Sequence, residues 1–259
     1  MPLPIYLCRN GHIQNCADKR SIGWGIDGAF TDYLVMPEKL LHKIPDTLPL
    51  PEAAMAEPCA IVAHQLLERA RVTPGDTVVI MGMGPIGLIA AQMAKIAGAG
   101  SVILCGTNAD VNYRLRVADQ LGCYDRFVNV QSEDVDTVVR QHSPAGADLV
   151  EEASGAGSAI RSAIRVLKKW GTLCAIGMTG APTIEVPWNE AMMKVLDVQF
   201  NMSSSYGGWD IALKLMASGK LNVTPMIGVR PLDEWEGAFA DLEAGRAMKL
   251  LLQPCGRCE

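Results

Sequence analysis

No Lys/Arg-rich run occurs anywhere in the sequence, and 28 acidic residues outnumber 23 basic ones for a formal net charge of −5. Nucleic acid and anionic membrane surfaces are recognised by such clusters, so neither is an expected partner. A small molecule or a second copy of the chain is. The opening residues MPLPIYLCRN lack the basic start and long apolar stretch of a secretory signal, which points to the cytoplasm and to reduced thiols. The eight cysteines are then candidates for metal binding or packing rather than for disulfides. An unbroken apolar run of membrane length is lacking too. Thr77 to Ala94 (TVVIMGMGPIGLIAAQMA) comes nearest, but Gly82, Gly84, Pro85 and Gly87 interrupt it and exclude one continuous helix. A buried strand, a tight turn and a buried helix are predicted instead. Internal repeats and low-complexity segments are absent.

What is present suits a soluble protein with a substantial core: 259 residues, 49% hydrophobic and 20% charged. From about Asp76, short β-branched runs (TVVIM, SVILC, RFVNV, ADLVEE, GTLCAIGM, DVQFNM) alternate with helical segments such as GLIAAQMAKIAG, YRLRVADQLG, DTVVRQHS, SAIRSAIRVLKKW and AMMKVL. Six strands joined by single helices, apolar on both faces, predict a doubly wound parallel sheet of α/β class. Residues 1–58 are different, rich in Gly and Pro, with a short strand expected at Ala29 to Val35 (AFTDYLV). A helix is expected over AEPCAIVAHQLLERA. Residues 59–220 form the expected coenzyme domain, and residues 221–259 add a strand, the helix PLDEWEGAFADLEAG and a last strand, KLLLQP.

The chemistry is carried by GMGPIG, residues 82 to 87, between the strand TVVIM and the helix GLIAAQMAKIAG. Gly82 permits a tight turn, Gly84 lets the backbone approach a pyrophosphate, and Gly87 lets helix and strand pack closely. With Pro85 and Ile86 opening the helix, phosphates would meet unpaired N–H groups at its N-terminus. An acid is expected about 20 residues later, on the adenosine ribose of NAD. Gly106 stands there instead, which leaves NADP possible, although no Arg adjoins Gly106. Asp110, one helical turn on, is either a ribose contact or a residue of the helix N-terminus.

The sequence resembles the medium-chain zinc-dependent alcohol dehydrogenases, nearest the sorbitol (polyol) and threonine dehydrogenase branch. The matching pieces occur in order: DGAFTDYLVMPEKLLHKIPD, MAEPCAIVAHQLLERA, VTPGDTVVIMGMGPIGLIAAQMAKIAGAG, GADLVEEASG, KKWGTLCAIGM and ALKLMASGKLNVTPMI, then PLDEWEGAFADLEAGRAMKLLLQP. The resemblance implies a six-strand Rossmann sheet with the remnant of a GroES-like β-rich catalytic domain. It implies NAD or NADP as coenzyme, zinc in intact relatives, and an alcohol or polyol substrate. Thr107 and Asn108 would lie near the adenosine ribose, and Ala153, Ser154, Gly155, Gly177 and Met178 would approach the cofactor at strand ends, or simply form the turns there. DVQFNMSSS, the sixth strand, would pair with a second subunit in a homo-oligomer.

For the metals, the resemblance implies that Cys8 and Cys16 keep the last interval of a structural-zinc lobe, CxxCxxCxxxxxxxC. The catalytic-zinc Cys and Gly-His-Glu segment are missing, whether by a missed start, a deletion or gene decay, and GHI (Gly11 to Ile13) is not that motif. Glu57 in AEPC matches an acid beside or on the catalytic zinc. His64 is read as a packing or capping residue. Cys255 and Cys258, in PCGRCE, have the CxxC interval absent from the lobe's front, so they either complete it or form a tail of unpaired thiols, the favoured reading. Three functions follow from these signals: a dehydrogenase impaired by the lost zinc ligands, a nonenzymatic nucleotide-binding or scaffold protein, or a zinc-free NADPH-dependent reductase.

Overall fold

The computed structural model describes residues 3–254. A short helix, α1 (Leu3–Arg9), leads into the two-residue parallel strands β1 (Ser21–Ile22) and β2 (Gly25–Ile26). Ala29 to Val35, expected as a strand, is irregular. Tyr33 and Val35 are 90% and 96% exposed, and no strand among the described residues lies alongside to take up their backbone groups. A strand-favouring composition without a pairing partner does not hold a strand.

Two short helices follow, α2 (Leu50–Ala53) and α3 (Ala56–Val62), and α3 continues into a π-helical segment, Ala63–Ala70. The helix expected over AEPCAIVAHQLLERA therefore forms, with a wider second half that periodicity did not reveal. It stops where Arg71 turns left-handed, φ 57°.

The sheet is built from β3 (Thr77–Met81), β4 (Ser101–Gly106), β5 (Arg126–Asn129), β6 (Ala147–Glu152), β7 (Leu167–Ala175) and β8 (Asp197–Phe200). Its order is β5-β4-β3-β6-β7-β8, all parallel. The crossovers are α4 (Pro85–Ala97), α5 (Arg114–Leu121), α6 (Val135–His142), α7 (Gly157–Val166) and α8 (Trp188–Met193). Strand residues alternate between two cores: Val78, Ile80, Val102 and Leu104 face α3, α4 and the helix α9 (Tyr206–Ala217), while Val79, Met81, Ile103 and Cys105 face α6 and α7. Each such fully buried Val or Ile contributes about 1.5–3 kcal/mol. Helix ends follow local chemistry: Pro85 opens α4, Asp134 caps α6 through the Thr137 N–H at 2.8 Å, and Gly98 and Gly122 close α4 and α5 left-handed.

One boundary differs from expectation. LKKW, predicted as the end of a helix, begins β7: Leu167 pairs with Ala147, and the register shifts before Leu149. Leu167 is fully buried in that pairing, Lys169 and Trp170 face solvent, and Trp170 is left-handed with φ 62°, a backbone that no helix continues through. Beyond the sheet, β9 (Ile227–Pro231) and β10 (Lys249–Gln253) form a separate parallel pair around α10 (Trp235–Glu243). Among the described residues no helix is long and apolar enough to cross a membrane.

Candidate functional site

Strand order reverses direction on either side of β3, so the crossovers after β3 and β6 leave to opposite faces and open a crevice at the strands' C-terminal ends. A cleft of about 730 Å³ lies there, lined by Gly82, Met83, Gly84, Thr107, Asp110, Arg114, Ala153 and Ser154, among others. The glycines divide the work. Gly82 has φ 115°, which L side chains rarely adopt. A Cβ on Gly87 would lie 2.0 Å from the Gly82 carbonyl oxygen, so this glycine is required for the helix to seat on the turn. Gly84 has ordinary extended backbone and nothing within 4 Å of a would-be Cβ. Space is held open in front of it, at the N-terminus of α4, and an anionic pyrophosphate fits that cradle. Pro85 and Ile86 form the first turn of that helix.

The loop after β6 is fixed by a residue that sequence reasoning missed. The fully buried Glu152 carboxylate accepts from the Ser154 N–H at 2.9 Å, the Ser154 hydroxyl at 2.5 Å and the Gly155 N–H at 3.0 Å. This presses Ser154 against the glycine turn, where a Cβ on Gly82 would meet the Ser154 Cβ at 3.2 Å. An acid followed two residues later by Ser-Gly was the available signal. Gly155 and Gly177 pack on each other's backbone, and Met178 is 85% exposed; none of the three lines the cleft.

At the other end, Asp110 is a capping residue. Its Oδ2 accepts from the Thr107 N–H and hydroxyl, both at 2.8 Å, and its Oδ1 accepts from Arg114 at 3.0 Å. Asn108 sits just outside, its N–H held by Gln131 and its side-chain oxygen by Asn129.

The metal candidates are separate from this cleft. Glu57 lines a hollow of about 550 Å³ with Gln14, Lys19, His42 and Trp209, and burial raises its pKa despite Lys249 and Lys19 nearby. His42 is stacked on Trp209, with centroids 5.1 Å apart. No cluster of three or more His, Cys, Asp or Glu that could hold a metal occurs among the described residues. Zinc requires three protein ligands at a catalytic site, so the described donor set does not fit one. Cys59 faces the core, its thiol pushed up to about 12 by burial. His64 bonds Glu68 at 2.6 Å, and the same Glu68 oxygen accepts from Ser205 at 2.5 Å, a helix-packing network. Cys8 and Cys16 lie near each other, and the neighbouring Cys16 thiol is the first cause of the raised Cys8 pKa. Cys255 and Cys258 lie outside the described residues.

Sheet order, glycine turn and crevice define a doubly wound α/β protein of the Rossmann type. Comparison with known proteins carries this further: the family described as zinc-binding dehydrogenase matches residues 85–218. The chain belongs to the zinc-binding dehydrogenases. It is 32% identical over 249 residues to a sorbitol dehydrogenase of Halalkalibacterium halodurans, covering 95% of this chain and 71% of that protein. With D-arabitol-phosphate dehydrogenase of Enterococcus avium it shares 31% identity, covering 95% and 70%. Among solved structures, alcohol dehydrogenase TADH from Thermus sp. ATN1 superposes with a TM-score of 0.87 at 26% identity, over 96% of this chain and 75% of that one. A zinc-binding dehydrogenase of Sinorhizobium meliloti, bound to NADP, gives 0.86 at 28% identity, over 96% and 72%.

Proposed function

We propose that the chain binds NAD(H) or NADP(H) in the cleft at Gly84 and constitutes the coenzyme-binding part of a zinc-type alcohol or polyol dehydrogenase. The observation that carries this is the open space at Gly84, kept by a turn whose other glycines are sterically required. The nicotinamide supplies the hydride acceptor or donor. The chain's own residues do the rest: N–H groups at the start of α4 hold the pyrophosphate, and the Glu152-anchored loop closes the wall beside it. Residues 59–220 are the coenzyme domain on this reading, 1–58 a part of the catalytic domain, and 221–259 the return to it. The six described cysteines are all unpaired, which suits a cytoplasmic location.

Oxidation of an alcohol requires its proton to leave an oxygen of high pKa, a task for a Lewis acid or a positioned base. The hollow beside Glu57 offers one carboxylate whose burial favours the neutral form. The expected result for the purified 259-residue chain is saturable binding of a nicotinamide nucleotide by fluorescence titration. Turnover of sorbitol-like polyols, secondary alcohols or threonine should be at least about a hundredfold below that of intact relatives, with no gain on adding zinc. Absence of nucleotide binding to the folded chain would sink the first half; vigorous zinc-dependent turnover would sink the second.

The same reading assigns the outer edge of β8 to a two-fold interface. This is the sheet's open edge, Phe200 is 74% exposed, and Trp188, Met192 and Met193 on adjoining α8 are 68%, 63% and 78% exposed. An apolar edge strand is stabilised by pairing with its own copy. Light scattering should give a dimer or larger closed assembly, and Phe200→Glu should shift it toward monomer; an unmutated monomer at micromolar concentration contradicts the assignment.

A further inference from the structure

The adenosine end of the cleft has an unusual floor. Gly106 ends β4 at the position of the acid that ordinarily accepts from the ribose hydroxyls of NAD. The Met83 side chain occupies the space a side chain would need there: a Cβ would lie 2.3 Å from its sulfur and 3.1 Å from the Phe127 ring. Met83 itself is 1% exposed, packed over the strand end.

Three carboxylates line the cleft nearby, and each is already engaged by the protein. Asp110 is 7% exposed and bonded to Thr107 and Arg114. Glu133 accepts from Arg126 and from the Asn129 N–H. Asp134 accepts from the Thr137 N–H and hydroxyl at 2.8 and 2.7 Å. What Asp110 and its partner turn toward the cleft is therefore the cation: the Arg114 side chain is 35% exposed against 9% for that of Asp110, and its hydrogen bond to Asp110 runs through Nη1 alone. A guanidinium has five donors in a planar fork, a shape matched to phosphate oxygens.

Resting on the reading of the cleft as a nicotinamide-nucleotide site, we propose that it selects the 2′-phosphorylated coenzyme, NADP(H) over NAD(H), with Arg114 as the residue that meets the phosphate. Asp110 serves as a positioning residue, holding the guanidinium at the mouth while its own carboxylate stays buried against Thr107.

The test is nucleotide binding, independent of turnover. NADPH and NADH are titrated against the folded 259-residue chain by fluorescence, with 2′,5′-ADP and 5′-ADP as competitors. NADPH should bind about tenfold or more tightly than NADH, and 2′,5′-ADP should displace better than 5′-ADP. Arg114→Gln should weaken NADPH far more than NADH, and Arg114→Lys, which keeps the charge, should restore part of the difference; circular dichroism checks that each variant folds. NADH binding as tightly as NADPH, or Arg114→Gln weakening both alike, overturns the selection while leaving the cleft reading intact. Binding of neither nucleotide overturns both.

Discussion

Gly84→Asp should lose at least about a hundredfold in nicotinamide-nucleotide affinity while the fold is kept or slightly strengthened. Gly84 is the N-cap of α4, and an Asp at that position accepts from free N–H groups of the first turn, a gain over glycine of a few tenths of a kcal/mol. Its backbone is extended, with φ −74° and ψ 179°, so no left-handed strain arises, and its Cβ enters empty space. That space is where a pyrophosphate would sit, and a fixed carboxylate beside it sets like charges together at a cost of several kcal/mol. Gly87→Ala should do the reverse. Its Cβ would stand 2.0 Å from the Gly82 carbonyl oxygen and 3.0 Å from the Gly82 carbonyl carbon, both backbone atoms that cannot rotate away. The turn and α4 must separate, at about 3 kcal/mol or more. Thermal unfolding and nucleotide titration on both variants separate the two roles. Retained affinity in Gly84→Asp would show that the nucleotide does not pass over this turn, and an unchanged melting temperature in Gly87→Ala would show that the helix seats differently.

That contrast also marks how far the sequence could be read. Runs such as TVVIM and SVILC are apolar at every position because both faces are buried, and the intervening stripes have a 3.6-residue period, so sheet and crossovers were legible. The glycine turn was legible because its three glycines answer three separate steric demands. The strand expected at Ala29 to Val35 was misread because pairing is nonlocal: its β-branched and aromatic residues favour a strand, but no described strand lies beside it. LKKW was misread because the apolar stripe of α7 continues in register into Leu167, and only the pairing with Ala147 settles the switch. The roles of Glu152 and Arg114 were not legible for another reason. Each acts through a partner brought close by the turn at a strand end, Ser154 and Gly155 for one and the buried Asp110 for the other. Their charge was visible, but not its direction.

The neighbouring Glu151 should make the protein less stable as pH rises, and its replacement should remove that dependence. Glu151 points to the opposite face of β6 from Glu152. It is fully buried, and neither of its carboxyl oxygens has a hydrogen-bonding partner. Across the ladder it pairs with Cys174, whose thiol is a weak donor, and Leu149 and Cys174 on this face belong to the apolar core beneath α3 and α9. Burial therefore raises its pKa well above the ordinary 4.5, with the Glu152 carboxylate adding repulsion and the Cys174 thiol offsetting only a little. The unfolded chain releases this proton near the ordinary value, whereas the folded chain retains it. Between the two pKa values the native state binds more protons, so stability falls with rising pH, by up to about 1.4 kcal/mol for each unit. Below the unfolded pKa this penalty is absent. Glu151→Gln, which cannot ionise, should match the unmutated protein in acid and exceed it progressively toward neutrality. Glu151→Leu should add a gain at every pH, about 1–3 kcal/mol, because it also removes the two unsatisfied oxygens. Urea unfolding from pH 5 to pH 8 measures both effects. Parallel stability curves for the three proteins would mean that Glu151 is ionised and compensated in the fold, contrary to its place in this core.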